Sequence, residues 1–186
     1  KIGLLTFLKL NNMIKLSNLI NEDDKSYDYG CVMLYTDFPG EVIKLQDTIN
    51  PEDLQSPGIE YEPHCTLLYG LHAGVTLDQI TSIVSQFKFD NLKAYNPSLF
   101  ENPEFDVFKY DIGYPTRGGA FLHNCNQRLA KLPCTQTYPD YHPHTTIAYL
   151  KPGKGKEYVE RFKKHGLEEF ITRPQYIIYS EPNGKK

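Results

Sequence analysis

The sequence predicts an α+β fold of two pseudo-symmetric lobes, each an antiparallel sheet with helices packed outside, and three observations carry this reading. A short stretch occurs twice: Tyr61-Glu62-Pro63-His64-Cys65-Thr66-Leu67-Leu68-Tyr69 and Tyr141-His142-Pro143-His144-Thr145-Thr146-Ile147-Ala148-Tyr149 share tyrosine, proline, histidine, threonine and tyrosine at matching places. Each copy sits in the same succession of strand, helix, motif strand, helix and strand. The length, 186 residues, suffices for one domain with a substantial core or two small lobes sharing one.

In chain order, residues 15–26 read as a partly helical lead-in. Gly30 to Thr36 is a compact apolar run between Tyr29 and Asp37-Phe38-Pro39, which predicts a buried strand. Val42, Leu45 and Ile49 are spaced for a helix that Pro51 ends. Residues 51–63, rich in prolines and acids, read as a loop delivering the chain to the first motif. Thr76-Leu77-Asp78-Gln79 has the form of a capping box, ahead of an amphipathic helix bearing Leu77, Ile80, Val84 and Phe87.

The second half repeats the plan. Leu92 to Phe100 and Glu104 to Ile112 read as strands, and apolar residues at 105 and 107, then 108, 110 and 112, shift phase, which predicts a bulge in the second. Phe121, Cys125, Leu129 and Leu132 mark a helix closed by Pro133, and a polar loop then leads into the second motif. Lys156 to Gly166 is a short helix with a glycine stop, and Gln175 to Ser180 a last strand.

Each motif is short, β-branched and aromatic, and follows a proline, which suits the first position of a strand. Alternation then points His64 and Thr66 one way and Cys65, Leu67 and Tyr69 the other; His144 and Thr146 likewise oppose Thr145, Ile147 and Tyr149. An imidazole takes or gives a proton near neutrality, and a hydroxyl two residues on donates to an oxyanion. Two such strands facing across a cleft place a base, an acid and two neutral donors around one group, and a phosphodiester fits best.

The paired H-x-T motifs resemble the two-histidine (2H) phosphoesterase superfamily, which includes RNA-ligase-like and cyclic phosphodiesterase enzymes. Within it, the run 132–150 and the early Tyr29-Gly30-Cys31-Val32-Met33-Leu34-Tyr35 resemble the phage proteins that disarm CBASS immunity by cutting cyclic oligonucleotide signals. The resemblance implies a bilobal 2H phosphoesterase-like fold, with two antiparallel sheets facing a central cleft. It implies a phosphodiesterase that cleaves 3′-5′ bonds of cyclic di- or trinucleotides without metal or cofactor, with His64, Thr66, His144 and Thr146 catalytic. A 2′,3′-cyclic or 2′-5′ RNA phosphodiesterase or RNA-end processing enzyme, and a non-catalytic cyclic-nucleotide sponge, are the alternatives. Which histidine is base and which acid stays open, as do base preference and oligomeric state.

Tyr29 and Glu181 are the nearest counterparts of the N-terminal aromatic and nucleobase-contacting acid that the resemblance implies. Tyr114 and Arg117, in a turn with glycines after it, are further substrate-binding candidates. With fourteen tyrosines and no tryptophan, base stacking falls to Tyr, Phe or Arg. His142, two residues before His144, lacks partners at ligand spacing and reads as structural rather than a zinc ligand.

A formal charge of -3 argues against a grip on long nucleic acid and leaves room for a small anionic ligand in a local pocket. Cys31, Cys65, Cys125 and Cys134 form no C-x-x-C pair and read as reduced thiols of a cytoplasmic protein, in the host cytoplasm for a phage product. Residues 1–12 read as an extension ahead of Met13 and a single bilobal domain as 13–186, its lobes roughly 13–90 and 91–186. No signal peptide is read in Ile2–Leu8, and no run is long enough for a bilayer.

Overall fold

The computed structural model describes residues 28–114, 120–136, 138 and 140–182, so the lead-in, the extension before Met13 and Arg117 lie outside the described residues. The elements in order are β1 (Gly30–Thr36), α1 (Gly40–Gln46), β2 (Leu54–Ile59), β3 (His64–Leu71), α2 (Leu77–Val84), β4 (Leu92–Glu101) and β5 (Asp106–Gly113). There follow α3 (Ala120–Leu129), β6 (His144–Leu150), α4 (Gly155–Lys164), β7 (Glu169–Thr172) and β8 (Pro174–Ser180). They build two antiparallel sheets, one ordered β3-β1-β8 and the other β2-β6-β5-β4-β7. The α+β fold with paired antiparallel sheets is as the sequence predicts.

Local chemistry explains most boundaries. The capping box at α2 is formed, with the Gln79 amide donating to the Thr76 hydroxyl and the Thr76 amide to the Gln79 side chain. Gly166, at φ 77°, stops the turn after α4. Helix α1 ends at Gln46, before Pro51, which instead opens a 3-10 turn capped by the Asn50 side chain. Two strands were not expected. β2 lies in the presumed loop because Pro57 and Gly58 are tolerated at a sheet edge, where β2 meets β6 only at Leu54↔Leu150 and Ile59↔Ala148. β7 has only four residues, too few for a clear alternation.

The sheets exchange strands between the two halves of the chain. β8, from the second half, completes the sheet of β1 and β3, while β2, from the first half, lies at the edge of the other sheet beside β6. A shared core fills the space behind both sheets. Leu34, Leu67, Leu71, Ile80, Leu122 and Leu129 are wholly buried there, each worth about 1.5–3 kcal/mol over an exposed position. Phe108 packs edge-on against Phe162 of α4, and Phe121 of α3 against Phe87 and Phe89.

One glycine is required by close approach. Gly70 sits in β3 at φ 112°, and a Cβ there would stand 2.0 Å from the Thr135 carbonyl oxygen, whose own amide donates to Gly70. Gly70→Ala should therefore lower stability by about 1 kcal/mol or more, read as a fall in the urea midpoint at unchanged slope.

Candidate active site

The proline in each motif sets the histidine beside it. A residue before proline is held extended, and the carbonyls of Glu62 and His142 are thereby turned onto the rings that follow. His64 Nδ1 lies 2.9 Å from the Glu62 oxygen and His144 Nδ1 2.7 Å from the His142 oxygen. A carbonyl only accepts, so Nδ1 carries the proton and Nε2 is left, in the neutral ring, as the nitrogen that can take one. The proline carbonyls are fixed in the same repeated way, accepting from the Thr36 and Ile112 amides at 2.9 Å each.

A bulge follows each threonine. On β3 the register runs Tyr35↔His64, Met33↔Thr66, then Val32↔Leu68 and Cys31↔Tyr69, so Leu67 is the extra residue. On β6 it runs Asp111↔His144, Lys109↔Thr146, then Phe108↔Ala148 and Val107↔Tyr149, with Ile147 extra. The bulge expected within β5 thus belongs to its partner: β5 alternates regularly, with Lys109 and Asp111 on the cleft side and Phe108 and Tyr110 in the core. Each bulge reverses the alternation, which brings Tyr69 and Tyr149 back to the face of the histidines instead of the core face expected of them. Tyr69 is 37% exposed, whereas Cys65 and Leu67 are wholly buried.

A carboxamide reaches each bulge carbonyl. Asn126 of α3 donates to the Leu67 oxygen at 2.7 Å, and Gln46 of α1 to the Ile147 oxygen at 3.1 Å, joined there by the Glu60 amide. Each helix so braces the motif strand of the other half of the chain.

The two sheets meet along β3 and β6. Tyr141 donates to the Thr66 carbonyl at 3.0 Å and its phenol lies against the Cys65 thiol, which in turn receives the His144 backbone amide. Burial pushes the Cys65 thiol up to about 12, so it remains a neutral filler between the strands. His64 and His144 are brought close enough for their rings to act on each other electrostatically. Thr66 and Thr146 share the faces of their histidines, and the Tyr149 phenol lies against the Thr146 hydroxyl.

The surroundings of the two rings differ. His64 is covered by Tyr35, at 5.3 Å between ring centroids, and Tyr35 stacks in turn on Tyr176. His144 meets the edge of Phe100 at 5.0 Å and stands beside an ion pair of Lys109 and Asp111. Burial, then the Lys109 ammonium and His64, hold the His144 imidazole below the usual histidine range.

The remaining candidates are placed as follows. Tyr29 lies six residues along β1 from Tyr35, roughly 20 Å at the strand rise, and packs with Tyr69 and His72 away from the histidines. Glu181 follows β8 at that same far end, where Ser180 pairs with Cys31. Tyr114 is corrected to a core residue: it is buried with its ring against Phe121 at 4.6 Å. Cys31 lies on the cleft side opposite Tyr69. His142 is exposed and serves through its carbonyl. Among the described residues no cluster of His, Cys, Asp and Glu is arranged to hold a metal ion.

No protein-family model matches the chain, and no curated protein is similar to it in sequence. Solved structures do match. Usb1 of Kluyveromyces marxianus aligns at TM-score 0.52 with 11% identity, over 84% of this chain and 99% of that one. The same protein with uridine monophosphate aligns at TM-score 0.55 with 10% identity and the same coverage. The MHV ns2 PDE domain aligns at TM-score 0.51 with 15% identity, over 82% and 97% of the two chains. The protein therefore shares the fold of these structures, the two-histidine phosphoesterase-like fold that the sequence predicts.

Because the Leu67 carbonyl depends on Asn126, Asn126→Ala should cost about 1–3 kcal/mol in a urea titration.

Proposed function

We propose that the protein is a phosphodiesterase that cleaves a ribonucleotide 3′-5′ bond by two-histidine acid–base catalysis, and that its substrate is a cyclic di- or trinucleotide. The observation that carries this is the pair of H-x-T strands meeting with both Nδ1 atoms tied to carbonyls, which leaves two Nε2 atoms to exchange protons at one phosphorus. The fold shared with Usb1 and the ns2 PDE domain supports it.

One imidazole removes the proton of the ribose 2′-hydroxyl as its oxygen attacks phosphorus, and the P–O5′ bond breaks as the other gives that oxygen a proton. The product is a linear strand ending in a 2′,3′-cyclic phosphate, and each histidine holds the other's starting charge. The Thr66 and Thr146 hydroxyls donate to the non-bridging oxygens, where charge develops in the transition state. A net charge of -3 fits a compact ligand held in the cleft better than a long strand. The aromatic edges of Tyr69, Phe100, Tyr149 and Tyr176 offer faces for its bases.

An RNA-end phosphodiesterase is the second reading, favoured by the uridine monophosphate in the Usb1 structure of the same fold. Incubation in EDTA with cyclic GMP-AMP, cyclic tri-adenylate or a short 3′-uridylated RNA should give a linear product from the cyclic ligands and leave the RNA intact. Trimming of the RNA would favour the second reading, and an unchanged but bound cyclic ligand a sponge. His64→Ala and His144→Ala should each lower turnover by about a hundred- to ten-thousand-fold with folding retained. Full turnover in both variants would falsify the assignment.

A further inference from the structure

We propose that the Lys109–Asp111 ion pair breaks the symmetry of the cleft and makes His144 the base and His64 the acid. This rests on the phosphodiesterase reading above.

The two sheets match position by position around the histidines. Opposite His64 and Thr66, β1 places Tyr35 and Met33; opposite His144 and Thr146, β5 places Asp111 and Lys109. An aromatic and a thioether on one side are thus replaced by a carboxylate and an ammonium on the other. Both charged side chains are held. Lys109 is 6% exposed, with its ammonium 4.9 Å from the Phe100 ring centre and paired to Asp111 Oδ1. Asp111 Oδ2 accepts from Asn96 Nδ2 at 2.6 Å. Asn96 stands in the left-handed region at φ 54°, within the register shift between Tyr95 and Ser98 of β4, and so carries local backbone strain at the site.

Among the described residues, the charged and titratable groups acting on the His144 ring are Lys109 and Asp111 from β5 and His64 from β3, while β4 presents the uncharged Phe100. Burial and the nearby cation both disfavour a second proton on His144, and Asp111, its charge committed to Lys109 and Asn96, opposes them only partly. In the resting enzyme His144 Nε2 is therefore the free lone pair, positioned to accept the nucleophile's proton. The leaving oxygen then takes its proton from His64. Lys109 and Asp111 are positioning residues, acting through the imidazole.

The test follows the His144 ring proton by NMR titration of the free protein, together with the pH dependence of kcat/KM on cyclic GMP-AMP. A base held below the usual range keeps kcat/KM high as pH falls, and the acid limb appears where His144 gains its proton. Lys109→Met should move both the His144 titration and the acid limb to higher pH, so that the variant loses most activity at acid pH. Asp111→Asn, which keeps the cation, should move both to lower pH, and Lys109→Arg should restore the wild-type profile. A purely structural role would lower activity at every pH without moving the limb in opposite directions. Unmoved titration in both Lys109→Met and Asp111→Asn, or a limb that follows His64 instead, overturns the inference. If Lys109→Met does not fold, Asp111→Asn decides alone. Absence of turnover in the wild-type protein counts against the phosphodiesterase reading, while the titration still tests whether the pair sets the charge of His144.

Discussion

The site depends on two bulge carbonyl oxygens, of Leu67 and Ile147, that side-chain carboxamides reach from across the molecule. Inserting Leu67 and Ile147 takes each out of register with the neighbouring strand, and the Leu67 carbonyl, if left unpaired when buried, would cost about 1–3 kcal/mol. Asn126 removes that cost at Leu67, and Gln46 adds a second donor at Ile147 beside the Glu60 amide. Both carboxamides stand at equivalent places, each eighteen residues before a motif histidine (126 and 144, 46 and 64). Since each one reaches the strand of the opposite half, each motif strand is braced by a helix from the other half of the chain. The Tyr141 bond to the Thr66 carbonyl ties the strands directly.

Around that frame the protein keeps its thiols and phenols neutral by burial, while Glu60 and Glu62 act on Tyr35 above His64 and the Lys109–Asp111 pair stands beside His144. Cys65 and Cys125 are thiols raised to about 12, and the Tyr35 and Tyr141 phenols are also raised, by desolvation first. None of these supplies charge at neutral pH, and the side-chain charges acting on His144 are those of Lys109, His64 and Asp111.

The sequence made the core of the site legible because an H-x-T pair needs only an alternation of two to place histidine and threonine on one face. The alternation fails one residue later, where the bulge inserts, and that is why Tyr69 and Tyr149 were assigned to the core. Their presence at the same place in both copies was the available signal. A lysine and an aspartate two apart on a strand ordinarily mark a solvated face, so Lys109 and Asp111 carried no signal of burial. Tyr114 misled in the opposite sense: its glycine-rich neighbourhood suggested a surface turn, yet its ring fills space beside Phe121. β2 went unseen because Ser56-Pro57-Gly58 has none of the residues that favour strands.

The exchange of strands between the halves has a consequence for how such a cleft can acquire a direction. Two separate copies of one half, associating about a two-fold axis, would present every residue twice, and any charge placed beneath one imidazole would appear beneath the other. Such an isologous pair has no means of telling attacking oxygen from departing oxygen. Joining the copies in one polypeptide frees each to diverge, and a single lysine beneath a single ring then suffices to distinguish them.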